Sequence, residues 1–363
     1  MKILVHICCS VDSHYFLQKL QKDYPKAKLI GFFYDPNIHP YSEYYLRLLD
    51  VKRSCNMLGI ELIEGEYDFR AWLEAVRGLE DEPEKGKRCS VCFDRRFEVS
   101  AKRAKELGCD AFTSTLLTSP KKSIEQLKAS GDALAKQEGI EFLTLDYRTH
   151  SGTQEQNRLA KEDKLYRQNY CGCMFALSKQ RQAQQIVASE LFSPINRQIL
   201  PNSIEDKIRL YQKRVELEEK GIEYEIVKSR FLNWRLLYGL VRQKGKSIPS
   251  YILAFSKLRR KFSRGKVEKE INGVFYFNRD EIKFITLEYF NKLANRDYKS
   301  IKELYFNPLP FEEEIKIRDK LTLLSYDLSA IIVVEKEPIG KYEILLNSTI
   351  YEDIKENLII LSK

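Results

Sequence analysis

The sequence predicts an α/β protein: a doubly wound, mostly parallel sheet over residues 1–200, followed by a smaller α+β domain over residues 201–363. Three observations predict it. Short apolar strands alternate with helical stretches through the first half and are joined by short turns, the pattern of a parallel sheet with helices on both faces. A chain of 363 residues exceeds the usual size of a single domain. All eight cysteines lie before residue 174, so the halves differ in composition, and the boundary is expected near Pro194 to Pro201, where SPINRQILPN breaks helical periodicity with two prolines.

Each element has a local reason. KILVHI is an apolar strand ending at Cys8, and SHYFLQKLQ after it carries Phe16, Leu17 and Leu20 at helical spacing. KLIGFFYD is the second strand, closed by the prolines of PNIHP, and YSEYYLRLLDVKRSCNMLG is a long helix stopped by Gly59. IELIEGEYD reads as the third strand, FRAWLEAVRG as a helix, and CSVCFDRRFEVSAKRAKELG as another helix stopped by Gly108. AFTSTLL is the fourth strand, KKSIEQLKASGDALAKQEG its helix and EFLTLDY the fifth strand. Ligands of such sheets collect beyond the carboxyl ends of the strands. Cys8 and Cys9, Tyr34 to His39, Ser114 to Ser119, and Tyr147 with Arg148 all fall there.

Composition narrows the chemistry. With 43% hydrophobic and 31% charged residues, and no uncharged apolar run of roughly 18 residues, the chain is not expected to enter a membrane. Its N-terminus, MKILVHICCS, has no signal-peptide pattern, so a cytoplasmic location is expected. In a reducing compartment cysteines serve metals or catalysis rather than disulfide scaffolds. Six of the eight form three tight pairs, Cys8-Cys9, Cys89-x-x-Cys92 and Cys171-x-Cys173, each at a strand or helix end. Three such pairs point to one convergent thiolate site. Zinc closes a tetrahedron with four ligands and an iron–sulfur cluster also takes four, leaving two thiols for a second metal or a redox dithiol. The iron–sulfur reading is favoured, with zinc and redox dithiols as alternatives. Helix N-termini beside Cys9 and Cys89, with Arg88, are expected to lower thiol pKa values. Cys55 and Cys109 are unpaired and read as small core hydrophobes.

The blocks HICCS (6–10), FYDPNIHPYSEY (33–44), RCSVCFDRR (88–96), TSTLLTSP (113–120), DYR (146–148) and LYRQNYCGC (165–173), in that order, closely resemble the QueH-type epoxyqueuosine reductases. The resemblance covers about residues 1–190. It implies a fold like that of PP-loop and adenine-nucleotide α-hydrolase (HUP-like) proteins, and a cytoplasmic enzyme that reduces epoxyqueuosine to queuosine at the wobble position of tRNA, the last step in making that nucleoside. It further implies a [4Fe-4S] cluster with a second iron ion beside it. By that likeness Cys8, Cys9, Cys89, Cys92, Cys171 and Cys173 are ligands, undivided between the two metals, and Asp12 is a carboxylate ligand candidate. Two departures stand out: Cys8-Cys9 continues Ser10-Val11 where the family usually has Ala-Pro, and Asp35 stands where Asn is common, needing a partner such as Arg47 or Arg148.

Removing an epoxide oxygen as water takes two electrons and two protons, and a metal can act as Lewis acid on that oxygen. No Gly-x-Gly-x-x-Gly fingerprint follows a strand, so an external electron donor is expected. Tyr34, His39, Tyr147 and Tyr170 are candidate proton donors, with Asp12 grouped among the catalytic residues. Asn37, Arg47, Arg148 and Arg167 are candidate substrate contacts, Asn37 having a turn-forming alternative. His6 reads as a packed strand residue, His14 and His150 as helix-flanking residues.

The second half contributes charge. Ile226 to Val267 carries 12 basic residues and no acid, interleaved with aromatic residues, and is densest at SKLRRKFSRGK. Arg259, Arg260, Lys261 and Arg264 are therefore candidate contacts to the tRNA anticodon stem-loop, because single-stranded RNA is held by cations and stacking. Trp234, Leu236, Leu237, Leu240 and Phe255 read as core. EINGVFYFNRD reads as a hairpin around Asn272-Gly273, and the C-terminal KYEILLNSTIYEDIKENLIILSK as a strand and a helix. The rival functions are a PP-loop enzyme that thiolates or adenylates tRNA, disfavoured because Cys9-Ser10-Val11-Asp12-Ser13 lacks the glycines that admit phosphate, and a zinc-dependent RNA-binding protein.

Overall fold

A computed structural model of the chain describes residues 1–119, 122–149, 151–192, 196–277 and 282–361. His150 and Pro194, both weighed above, lie outside the described residues. β1 (Lys2–Ile7) is apolar on both faces because it is the middle strand of a sheet: Ile3, Leu4, Val5 and Ile7 are all fully buried. It is followed by α1 (Ser10–Asp23), β2 (Lys28–Phe33), α2 (Tyr41–Met57), β3 (Glu61–Glu64), α3 (Phe69–Ala75), α4 (Lys87–Glu106), β4 (Ala111–Ser114), α5 (Ile124–Glu138), β5 (Glu141–Phe142), α6 (Gly152–Glu162), α7 (Met174–Ala183) and α8 (Ile204–Glu219). The strand order is β3-β2-β1-β4-β5, and every pair is parallel. The doubly wound expectation is therefore met. Strand order reverses at β1, so the crevice that such sheets use for ligands opens beyond its carboxyl end, where Cys8 sits.

The fourth strand is shorter than its apolar pattern suggests. It stops at Ser114, whose hydroxyl accepts the Leu116 N–H and starts a 3-10 turn over Thr115–Thr118. A side chain that offers the backbone a local partner competes with the sheet ladder. The fifth strand shrinks to Glu141–Phe142, pairing β4 on one side only. Cys55 and Cys109 pack in the core of this sheet, and burial pushes the Cys55 thiol up to about 12.

The chain divides into two compact units: residues 1–191, 207–226 and 360–363 form one, and 192–206 with 227–359 the other. Most of α8 thus belongs with the cysteine-bearing sheet.

The second unit contains β6 (Tyr224–Gln243), β7 (Lys246–Ser247), β8 (Ser250–Ile252), β9 (Phe262–Ile271), β10 (Val274–Phe277), β11 (Lys283–Thr286), α9 (Leu287–Ala294), α10 (Ile301–Phe306), α11 (Phe311–Leu321), β12 (Ile331–Val334) and β13 (Lys341–Ile360). The order is β7-β6-β13-β9-β10-β11-β12-β8. The hairpin at Asn272-Gly273 is present: Ile271 pairs Val274, and both turn residues have positive φ, 52° and 81°, the type I′ requirement that glycine meets without strain. The C-terminal helix is not formed. Lys341–Ile360 is one long strand between β6 and β9, with Tyr342, Ile344 and Leu346 buried at alternate positions, so sheet pairing overrides the helix-forming Glu and Lys residues that follow. Trp234 is core, its indole N–H donating to the Ser256 carbonyl at 3.1 Å. Among the described residues no helix is long and apolar enough to cross a membrane.

Candidate metal centre

Four elements bring the paired cysteines together. β1 delivers Cys8 and Cys9 at its carboxyl end, with Cys9 at the N-cap of α1 and Asp12 in that helix's first turn. α4 carries Cys89 and Cys92 one turn apart. The third pair stands on the turn before α7, with Cys173 as its N-cap. That turn needs glycine: Gly172 has φ 102°, a Cβ there would meet Ile38 Cγ1 at 2.7 Å, and its carbonyl accepts the His39 N–H at 2.9 Å. Cys8, Asp12, Cys89, Cys92, Cys171 and Cys173 all line one pocket of about 190 Å³. Cys9 lies just beneath it, 1% exposed, its sulfur 3.9 Å from that of Cys8.

One subset of these ligand atoms lies close together. The ligand atoms of Cys8, Cys9 and Asp12 lie within 4.8 Å of one another, close enough for a single ion. Cys92, Cys171 and Cys173 instead pack with Trp72, Val76 and Phe175, which form an apolar wall on their side of the pocket. Arg88 closes this side. Its Nη1 donates to the carbonyls of Leu79, Glu80 and Glu82, its guanidinium lies 5.6 Å over Phe175, and its buried Nε and Nη2 have no protein partner. Buried donors left open beside thiolates suit an anionic sulfide group. The four cysteines outside the first trio match the ligand count of a [4Fe-4S] cluster, so both metal groups fit the residues present.

Acidities follow from these contacts. The Cys173 hydrogen bond holds the Cys171 thiol down at about 5, with Lys122 adding in the same direction, and that shared proton pushes the Cys173 thiol up. Cys9 departs from the expectation of a helix-dipole thiolate: the bond with Cys8, burial and the neighbouring Asp12 carboxylate push it well above 9. Burial likewise pushes the Asp12 carboxyl up to about 6, against hydrogen bonds from Cys9, Gln156 and Cys8.

The remaining predicted residues scatter. Asn37 and Arg47 line the pocket. Asn37 Nδ2 reaches the Cys171 carbonyl at 3.5 Å while its buried Oδ1 has no partner, and Arg47 bonds Glu43 at 2.7 Å and the Tyr170 carbonyl at 3.0 Å. Tyr170 lines the pocket too, but its hydroxyl donates to the His39 carbonyl at 2.7 Å. Tyr34 is not brought to the pocket: its hydroxyl donates to the Asp68 carboxylate at 2.9 Å, a partner distant in sequence. Tyr147 is likewise held by Asp23 at 2.7 Å, and the His39 ring stacks on Phe69 at 4.9 Å. Arg148 donates to the Ser119 and Lys122 carbonyls and is not among the residues lining the pocket. Arg167 is exposed and bonds the Asn157 carbonyl at 2.8 Å. Asp35 pairs with Arg96 instead of Arg47 or Arg148. His6 is buried and bonded to Ser114 at 2.8 Å, as its strand position implies. His14 is no flanking residue: it is buried between Ser54 and Asp163. Arg259, Arg260, Lys261 and Arg264 are exposed in the second unit, at and just before the start of β9.

Sequence reasoning missed several of the pocket residues. Trp72, Lys122 and Gln168 have no local signal, whereas Arg96 stands four residues after Cys92 on the same helix face, a spacing that could have found it. Gln156 on α6 donates to Asp12 Oδ1 at 2.6 Å and was also missed.

The sequence model of the family described as Epoxyqueuosine reductase QueH matches residues 3–179. A Helicobacter pylori protein named Epoxyqueuosine reductase QueH is 44% identical over 351 residues, 92% of this chain and 94% of that protein. The proteins of the same name from Histophilus somni and Thermotoga maritima are 36% and 35% identical; they align over 48% and 50% of this chain and over 72% and 92% of their own length. The U34-tRNA thiolase NcsA from Methanococcus maripaludis with its [4Fe-4S] cluster is similar at TM-score 0.34 and 16% identity, over 60% of this chain and 73% of that one. With a relative this similar along nearly its whole length, the chain belongs to the QueH family of epoxyqueuosine reductases.

Proposed function

We propose that the chain reduces epoxyqueuosine to queuosine in tRNA, with Cys89, Cys92, Cys171 and Cys173 holding a [4Fe-4S] cluster and Cys8, Cys9 and Asp12 holding a single iron ion. The observation that carries the division is the close approach of the Cys8, Cys9 and Asp12 ligand atoms, apart from the apolar packing around Cys92, Cys171 and Cys173. When bound, the cluster supplies electrons singly and the ion a Lewis acid for the epoxide oxygen. The balance is epoxide plus two electrons and two protons giving alkene plus water, the electrons coming from an external one-electron donor.

The chain's own residues prepare that reaction. Lys122 presents its ammonium to the pocket beside the Phe93 ring, 5.2 Å from its centroid, with no hydrogen-bond partner among the described residues. It is the proton-bearing cation best placed to serve the departing oxygen, since the hydroxyls of Tyr34 and Tyr170 are committed elsewhere. The unpartnered Oδ1 of Asn37 and Oε1 of Gln168 are acceptors for a nucleobase edge. Trp72, Phe93 and Leu116 limit water at the reacting centre.

In the second unit we assign tRNA backbone contact to the exposed Arg259, Arg260, Lys261 and Arg264. Anaerobically purified protein is expected to be brown, to carry about four irons with sulfide and about one further iron, and to convert epoxyqueuosine in tRNA under a strong reductant. A colourless protein loaded with zinc alone, or an iron-loaded protein that leaves the nucleoside unchanged, overturns the reading.

A further inference from the structure

The second unit contains a cleft that the reductase site does not use. It lies between the first part of β6 and the loop after α11, with a volume of about 960 Å³, a size that accommodates a nucleotide. Three features set it apart. First, Leu323, Leu324 and Tyr326 beside it are 96%, 73% and 90% exposed, a contiguous apolar surface of the kind that marks a partner site. Second, Phe255 and Tyr326 both have left-handed backbone, φ 60° and 66°, and they are the aromatic residues with positive φ among those described. Bulky side chains in that region are true outliers, and such strain gathers at binding sites.

Third, an exposed cation stands at the rim of the cleft. Arg318 lies buried in its wall and spends its N–H groups on the carbonyls of Ala254, Asp327 and Ser329 and on the Ser256 hydroxyl, not on a carboxylate. Arg230 stands at the rim, 75% exposed, with Glu352 as a loose partner at 4.0 Å. Of the acids present, Asp327 is occupied by Lys283 at 3.3 Å and the Ser329 N–H at 2.7 Å, and Asp319 is exposed at the edge. The neighbouring stretch from Ile226 to Val267 contains no acid at all.

Aromatic faces and leucines beside arginine are what an unpaired nucleotide requires: a flat apolar wall for the base and a cation for its phosphate. We propose that this cleft holds an unpaired nucleotide of the tRNA substrate, its base against Tyr326, Phe231 and Leu324 and its phosphate on Arg230. The proposal rests on the reading that this unit contacts tRNA, and the test separates the two.

Binding of substrate tRNA to the full-length protein is measured by fluorescence anisotropy across a salt series. Tyr326→Ala and Leu324→Ser alter exposed side chains and leave the core intact. Each is expected to weaken binding about five- to fiftyfold, with the salt slope unchanged. Arg230→Gln is expected to weaken binding and lower the slope by about one. The reference variant replaces Arg259, Arg260 and Lys261 with Gln. If the reference variant loses affinity while Tyr326→Ala and Leu324→Ser bind normally, the cleft assignment is overturned and the unit's role in tRNA binding stands. If none of the variants changes affinity, both fall. If Leu324→Ser converts a dimer to a monomer in light scattering without changing tRNA affinity, the occupant is a second copy of the chain and the nucleotide is excluded.

Discussion

Replacing Arg214 with Met should destabilise the first unit more than any surface change, although the residue lies outside the segment that the family model matches. Arg214 on α8 and Asp50 on α2 are paired and both are 0% exposed. Asp50 Oδ2 also accepts the Ser10 hydroxyl and the Tyr166 N–H, the latter at 2.7 Å, while Arg214 donates to the Lys164 carbonyl at 2.6 Å and lies 4.4 Å over the Tyr211 ring. Methionine fills similar space but leaves a carboxylate buried without its cation. Breaking a buried pair from one side costs about 3–5 kcal/mol. For a unit of this size each kcal/mol moves the midpoint by about 2–4 °C, so a drop of about 6–20 °C is expected. Thermal and urea unfolding of Arg214→Met, Asp50→Asn and the double variant supply the assay. The double variant should cost less than the two singles summed, by about 1 kcal/mol or more. A single-variant cost below about 1 kcal/mol, or strict additivity, would show that the pair does not hold α8 to the sheet. The same arithmetic warns against deleting residues 204–363 to test the second unit, because that truncation removes Arg214 and strands Asp50, which bonds the residue next to Cys9.

Three further outcomes follow from the metal centre. Gln156→Leu removes the 2.6 Å bond that orients Asp12 and should weaken binding of a single ion at Cys8, Cys9 and Asp12 by about 10–100-fold; cobalt absorption spectra and metal analysis report it, and wild-type affinity would refute the orienting role. Ion binding must displace protons, so its affinity falls with falling pH, and because the Asp12 carboxyl titrates near 6 the fall should steepen below that pH by about tenfold per unit. Asp12→Asn should abolish the steepening and leave the dependence at higher pH, and a profile unchanged by that substitution counts against Asp12 as a ligand. Gly172→Ala forces a Cβ to within 2.7 Å of Ile38 at φ 102°; it should cost about 1–3 kcal/mol and lower the iron content, and intact values of both would show that the turn can relax.

What could be read from the sequence followed from local rules. β1 was legible because a strand buried on both faces is a continuous apolar run, and the six thiols were legible because their pairs sit where strands and helices end. The Asn272-Gly273 turn announced its hairpin through residues that tolerate positive φ. The failures share one cause, which is partners distant along the chain. Tyr34 looked like a proton donor until Asp68 took its hydroxyl. His14 looked peripheral because Ser54 and Asp163, which enclose it, come from other elements. Nothing near Trp72 or Gln156 in sequence signals that the one lines the cysteine pocket and the other bonds Asp12. The last strand, Lys341–Ile360, carries helix-forming residues and is held extended by neighbours more than 70 residues earlier in the chain.

Metal bound as proposed would also couple to folding through the way the site is assembled. Each cysteine pair arrives on a different element: the end of β1, the first turns of α4 and the turn before α7. A cluster held by Cys89, Cys92, Cys171 and Cys173 would tie α4 to that turn, two segments otherwise joined by apolar packing around Trp72 and by the Arg88 guanidinium over the Phe175 ring. Because ligands in an unfolded chain are not preassembled, binding free energy at such a site becomes folding free energy. The unpartnered Nε and Nη2 of Arg88 point the same way: in the absence of an acceptor they are a cost of desolvation, and with an anionic group in the pocket they are stabilising. Cofactors bound as proposed would complete the first unit, and iron removal should then loosen the first turns of α4 and the turn before α7 before it disturbs β1.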